Sequence, residues 1–296
     1  MLEVALVTGA RLPELDDDDR LLLEPLASWD CRVTPAVWDD PAVEWDRFDL
    51  SVIRSTWDYT DRRDLFVAWA RATPRLLNPA DVVAWNTDKR YLADLAAAGL
   101  PVVPTTWIAG HEAIELPPSG EYVLKPSVGA GTLDADLFDL GDAGERARAI
   151  AHAERLLAAG QSVMVQPFAR AIEQAGETGV ILVDGQLSHG TRKGPMLGQK
   201  TLDEIDGLYK EEAIEARMPS DAEIELARAA IAAVPIGSEP LLYARVDMVP
   251  GADGRPMIME LELTEPSLFI VTAPVTAHRF AQAIATRARL MAASRK

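Results

Sequence analysis

The chain has 296 residues, 48% hydrophobic and 25% charged, with 29 basic against 46 acidic side chains and a net charge of −17. That is the composition of a globular protein large enough for two or three subdomains, and the acidic balance argues against a nucleic-acid partner. No apolar run approaches the ~20 residues of a membrane span, the strand-like start carries no basic leader, and the single cysteine, Cys31, fits a reducing, cytoplasmic setting.

In the N-terminal third, period-two apolar runs predict strands over 2–7, 32–37 and 49–53, and helical periods fill 20–28 and 63–72. Such alternation implies an α/β unit with a small parallel sheet. The acidic run Asp16–Asp19 reads as a solvated loop supplying an N-cap and complementing a helix dipole. Arg54-Ser-Thr-Trp57-Asp-Tyr59 leaves the carboxyl end of the third strand, where open α/β sheets place ligand loops. Either Arg54 holds an anionic group while Trp57 walls a pocket, or the aromatic plugs the core beside a capping aspartate.

The middle section predicts helices over 89–98 and 143–159 and strands over 103–108, 122–125, 135–140 and 162–167. The strand at 122–125 ends in Lys125 and runs into Ser127-Val-Gly129-Ala-Gly131-Thr132. Small residues let backbone amides approach phosphate oxygens, although this is neither a P-loop nor a GxGxxG fingerprint. A lysine inside an apolar strand needs an anionic partner.

Helices over 222–234 and 275–293 follow, the second ending in a basic face with Arg287, Arg289, Arg295 and Lys296. Between them, 243–249 and 257–262 alternate as strands around the turn Pro250–Pro256. A hairpin symmetric about Ala252 and Asp253 sets Arg245 opposite Glu260, with Arg245, Asp247, Glu260 and Glu262 on one face. Three carboxylates this close repel by about 2–4 kcal/mol per adjacent pair at an effective dielectric near 20. A compensating cation is expected, and oxygen-only donors suit Mg2+ or Mn2+; the alternative is a face turned to water.

Lys125 with its glycine loop, the Arg-Val-Asp strand and the Glu-Leu-Glu strand, in this order, resemble the ATP-grasp ligases over about 86–270. Asn86-Thr-Asp-Lys89, Leu100-Pro-Val-Val-Pro104 and Val163–Phe168 fit the same pattern. Arg54–Tyr59, Ser188-His189 through Arg192-Lys-Gly-Pro195, and Glu262–Leu268 look most like the subgroup containing the D-cycloserine-forming cyclo-ligase. The resemblance implies an ATP-grasp fold of the α/β (α+β) class. A Rossmann-like subdomain at 1–85 would precede two α+β subdomains, 86–168 and 169–296, that enclose an ATP cleft.

It also implies residue roles. Lys89 and Lys125 would neutralise phosphates, with Ser127, Gly129 and Gly131 in a lid loop. Gln166 and Phe168 would border adenine, and Glu173 or, by its place at the head of a strand, Glu177 would meet the ribose. Asp247, Glu260 and Glu262 would form the metal triad, although many relatives carry asparagine where Glu262 stands. Arg245, Lys193 and His189 would be catalytic, and Arg54, Trp57, Arg192 and Ser267 would touch substrate. The implied cofactors are ATP and Mg2+, with an amino-acid-like small molecule as substrate and, by analogy, a homo-oligomeric assembly. The implied activity is ADP-forming carbon–nitrogen ligation through an acyl phosphate, closing O-ureido-D-serine to D-cycloserine. The rival readings are an intermolecular ligase and a nucleotide-binding protein without catalysis. A hydrolase has no support, because no GxSxG elbow is present.

Overall fold

The computed structural model describes residues 1–110, 113–194, 213–235 and 241–294, with the backbone alone of 204–205 and 209–210; Pro195, Arg295 and Lys296 lie outside the described residues. It begins with β1 (Leu2–Thr8), then α1 (Asp17–Arg20) and α2 (Leu23–Ser28) where one helix over 20–28 was expected. Pro25 explains the break: it lacks the N–H to bond the Leu21 carbonyl and is tolerated only in a first turn, which is where α2 places it. β2 (Cys31–Val37), β3 (Leu50–Ile53), α3 (Arg63–Ala72), β4 (Leu76–Leu77) and α4 (Ala80–Asn86) follow. The four strands form a parallel sheet in the order β2-β1-β3-β4. β4 and α4 are additions to the expected elements.

The next sheet is antiparallel, ordered β5-β8-β6-β7. It comprises α5 (Tyr91–Ala97), β5 (Thr106–Ile108), β6 (Glu121–Pro126), β7 (Asp136–Asp139), α6 (Ala143–Ala158) and β8 (Val163–Pro167). Asp142 caps α6 by accepting the Glu145 amide. β5 starts later than expected, since Pro104 cannot donate to a ladder. Instead Val103 donates to the Ile258 carbonyl, and Ile258 to that of Pro101. The Leu100–Pro104 stretch thus ties the middle section to the final hairpin.

The third sheet is assembled from α7 (Ile172–Ala175), β9 (Glu177–Val183), β10 (Gln186–Lys193), the short pair β11 (Glu204–Ile205) and β12 (Tyr209–Lys210), β13 (Ile214–Ala216), α8 (Asp221–Ala232), β14 (Tyr243–Pro250) and β15 (Pro256–Glu262). Its order is β13-β10-β9-β14-β15, with β11 and β12 pairing apart. The hairpin register differs from expectation: Arg245 faces Glu262 and Asp247 faces Glu260. A bulge inserts Met259 between Ile258, opposite Met248, and Glu260. The shift is two residues on the charged half, so the four charges still share one face.

The last helix, α9 (Thr276–Ala293), does not stay with this third sheet. Its buried Ala277, Phe280, Ile284 and Ala288 pack among Val4, Leu6, Leu50 and Val52 of the first sheet as well as Ile181 and Val183. Among the described residues no helix is long and apolar enough to cross a membrane.

Candidate active site

A cleft of about 470 Å3 lies between the second and third sheets, closed at one end by turns of the first. From β6, Lys125 Nζ reaches Glu260 Oε1 at 2.7 Å. Lys89, just before α5, donates to the Gly129 carbonyl at 2.6 Å and lies 3.8 Å from Glu260 Oε2. Gly129 and Gly131 line the cleft, and Gly131 has φ +60°, a left-handed turn that glycine adopts without a Cβ penalty. Ser127 does not face the cleft, contrary to expectation. It is buried, donating its amide to Ser162 and accepting that of Lys89.

The opposite wall is an ion network on β10, β14 and β15. Arg245 Nε donates to Asp247 Oδ1 at 2.9 Å, its Nη2 to Asp247 and Glu262, and its Nη1 to the Ser267 carbonyl at 2.6 Å. Lys193 Nζ lies 2.9 Å from Glu177 Oε1 and 3.1 Å from Asp247 Oδ2. Phe269, left-handed at φ +51°, sets its ring 5.0 Å from the Arg245 guanidinium. Gly179 on β9 leaves room for this network, since a Cβ there would sit 2.6 Å from Thr191 Oγ1 and 3.2 Å from Asp247 Oδ1.

Burial works against ionisation of Asp247, but Arg245 and Lys193 outweigh it and lower its pKa. Burial likewise opposes Glu260, and Lys125 and Lys89 drive that carboxyl far below its ordinary range. Glu262 is raised by burial, with Arg245 only partly offsetting it. Glu177 is pushed up to about 8, by burial first, with Lys193 opposing and the Asp247 charge adding.

The compensating cations expected for these carboxylates are therefore the protein's own lysines and arginine. Among the described residues no three His, Cys, Asp or Glu side chains gather to hold a metal by themselves. Asp247 is 1% exposed behind its ion pairs, whereas Glu260 and Glu262 keep 20% and 27% of their side chains accessible. Two hard-oxygen donors facing a cleft fit Mg2+, which takes one or two carboxylates, substrate phosphates and water rather than a protein cage.

At the hinge after β8, Gln166 Nε2 donates to Thr105 Oγ1 at 2.9 Å and the Phe168 amide bonds the Glu121 carbonyl at 2.9 Å; both residues line the cleft. Glu177 lines it too. Glu173 is exposed on α7, outside the lining.

Several residues expected at the substrate are engaged elsewhere. Arg54 is 1% exposed, with Nε on Asp19 Oδ1 at 2.7 Å and Nη2 on the Pro266 carbonyl at 2.6 Å. The acidic run is accordingly not a solvated loop: Asp16 caps α1, Asp19 is buried against Arg54, and Asp18 borders the cleft with a pKa raised by burial to about 6. His189 is fixed by the Leu268 carbonyl at 2.8 Å and Ser188 Oγ at 3.0 Å, outside the lining, and burial lowers its pKa. Arg192 donates to the carbonyls of Gln174 and Ala175, closing the end of α7 rather than facing the cleft. Trp57 and Ser267 do line it.

The sequence pattern includes Asn86 but gives no role to the asparagines that hold the hairpin in place. Asn78 bonds the backbone of Leu242, Tyr243 and Leu263, and Asn86 that of Leu261 and Leu263. It also left out Glu265, whose Oε1 accepts from the Tyr59 hydroxyl at 2.8 Å within the cleft. For Asn78 the available signal was its place between apolar Leu77 and Pro79, because a buried amide needs paired partners.

The chain is similar to several known proteins. A family model described as the N-terminal domain of D-cycloserine synthetase DcsG matches residues 4–78. The cycloserine biosynthesis protein DcsG of Streptomyces lavendulae is 38% identical, covering 96% of this chain and 98% of that protein. A crystal structure of D-cycloserine synthetase DcsG superposes with a TM-score of 0.85 at 35% identity, over 97% and 99% of the two chains. The ATP complex of the Bacillus anthracis D-alanine–D-alanine ligase matches at 0.66 and 13% identity over 99% and 100%, which speaks for the fold alone. With the lysine wall and the acidic hairpin facing one cleft, and a near-full-length relative above a third identical, the chain belongs to the DcsG family of ATP-grasp carbon–nitrogen ligases.

Proposed function

We propose that this ligase closes O-ureido-D-serine to D-cycloserine, a five-membered isoxazolidinone ring, using ATP. What carries the proposal is the convergence of four cations, Lys89, Lys125, Lys193 and Arg245, on carboxylates of one cleft, in a chain 38% identical to a cycloserine biosynthesis protein. A carboxylate acylates poorly because oxide is its leaving group. Transfer of the ATP γ-phosphoryl group turns that oxygen into part of a phosphate leaving group. ADP forms in that transfer; the oxygen-bound nitrogen of the ureido group then attacks the acyl carbon, closing the five-membered ring and releasing phosphate, and water removes the carbamoyl group as carbon dioxide and ammonia.

In this reading Lys89 and Lys125 bind the phosphates, Gln166 and Phe168 border the base, and Glu177, which lines the cleft where Glu173 does not, meets the ribose. Arg245 and Lys193 are placed to stabilise the oxyanion that forms on attack. Mg2+, held by Glu260 and Glu262 with Asp247 behind them, would neutralise the triphosphate. The loop over 127–132 is positioned to exclude water, which would otherwise hydrolyse the acyl phosphate. The test incubates the protein with ATP, Mg2+ and O-ureido-D-serine, following ADP release and product mass. Unchanged substrate beside a folded, ATP-binding protein rejects the cyclisation, and ADP release that needs a separate amine favours intermolecular ligation.

A further inference from the structure

Residues 265–267 follow β15 with no regular structure, yet four side chains pin them. Arg54 Nη2 donates to the Pro266 carbonyl at 2.6 Å and Trp57 Nε1 to that of Glu265 at 3.0 Å. The Tyr59 hydroxyl donates to Glu265 Oε1 at 2.8 Å, and Arg245 Nη1 to the Ser267 carbonyl at 2.6 Å. Three of the four come from the single turn after β3. That turn, expected to meet substrate directly, instead grips the loop that carries Glu265 into the cleft.

Glu265 differs from its neighbours in its partners. Among the described residues Asp247, Glu260 and Glu262 each pair with a lysine or arginine, whereas Glu265 makes no ion pair. Its hydrogen-bond partners, the Tyr59 hydroxyl and its own amide, are neutral. A carboxylate meant to anchor a cation is best kept ionised, as Lys125 keeps Glu260. Burial first, and then the Glu262 charge, instead raise Glu265 to about 7, with the Tyr59 bond pulling the other way. Tyr59 is itself pushed well above 10 by burial and Glu265, so it remains a donor. A rigidly held carboxylate that exchanges a proton near neutrality has the properties of a general base.

We infer that Glu265 is the base for the attacking nitrogen, oriented by Tyr59; this rests on the acyl-phosphate reading above. As the nitrogen lone pair forms the C–N bond, its N–H proton passes to Glu265 Oε2. The tetrahedral oxyanion then collapses, breaking the bond to the phosphate oxygen, which leaves with the electron pair. Activation of the carboxylate precedes this step and does not use Glu265.

The test separates the two half-reactions. Wild-type protein and Glu265→Gln are given ATP, Mg2+ and substrate with and without hydroxylamine, a nucleophile already uncharged at neutral pH that traps acyl phosphate as hydroxamate. The variant is expected to keep hydroxamate formation within about threefold while ring formation falls ~10²–10⁴-fold and loses its acidic pH limb. Tyr59→Phe, which removes a bond favouring the ionised carboxylate, is expected to move that limb to higher pH. Ring formation by Glu265→Gln within threefold of wild type overturns the inference, as does equal loss of ring and hydroxamate. A wild-type protein that yields no hydroxamate from any carboxylate rejects the acyl-phosphate reading, and this inference falls with it.

Discussion

Asp247 lies directly across the β14–β15 ladder from Glu260, yet the two carboxylates answer to different cations. Asp247 is held by Arg245 and Lys193 of its own wall, and Glu260 by Lys125 and Lys89 from the wall opposite. Glu260 is thus the contact that crosses the cleft, and Asp247 the one that organises a single side of it.

That division predicts different phenotypes for two isosteric changes. Glu260→Gln should cut ADP release by ~10²–10³-fold, the scale of losing one electrostatic contact at a reacting phosphoryl or acyl group, while the melting temperature moves by only a few degrees. Steady-state ADP release and a thermal melt decide it. Turnover within threefold of wild type would remove Glu260 from the site.

Asp247→Asn should behave as a fold mutation. Its side chain is 1% exposed, and deleting its charge leaves Arg245 and Lys193 under-compensated in a buried setting, at a cost of about 3 kcal/mol. Urea unfolding measures this. A variant as stable as wild type means that the ion network relaxes freely and is not the frame of the hairpin.

Arg54→Met distinguishes a structural arginine from a substrate ligand. The change strands Asp19 and releases Pro266, so a loss of about 3–5 kcal/mol is expected. Were Arg54 to bind an anionic substrate instead, stability would hold and only the KM for the carboxylate would rise.

The ligand-free protein should lose stability as the pH climbs through neutrality. Glu265 and Glu177 are raised from their ordinary 4.5 to about 7 and about 8. Each binds its proton more tightly when folded, so its contribution is present at low pH and drains away across that window. Asp247 and Glu260 have lowered values, and their contribution is lost at the other end, as the pH falls below the ordinary carboxylate range. Maximum stability is expected around pH 5. Glu177→Gln should flatten the decline between pH 5 and 8; a pH–stability curve parallel to wild type contradicts the assignment.

What could be read from the sequence is what local periodicity encodes. The two-residue alternation of 243–249 and 257–262 places Arg245, Asp247, Glu260 and Glu262 on one face, and that face survives the Met259 bulge because the shift is even. The helix over 63–72 and the one beginning at Ala143 are bounded by local chemistry, such as the Asp142 cap. What escaped depends on partners distant in sequence. Arg54 reads as a ligand until Asp19 is found 35 residues upstream and Pro266 212 residues downstream. Glu265 sits just past the end of the alternation, so no period points to it, and its setting is made by Tyr59, 206 residues away. Lys125, set in an apolar strand, does call for an anionic partner, but nothing local names that partner as Glu260, 135 residues downstream.

The packing of α9 sets an order on folding. Strands β1 and β3 bury their apolar faces against Phe280, Ile284 and Ala288, which are synthesised roughly 230 residues after β3. During synthesis those faces stay uncovered, a state in which apolar surface invites aggregation or chaperone capture. Removing the eighteen-residue helix α9 would therefore damage strands more than 200 residues away in sequence.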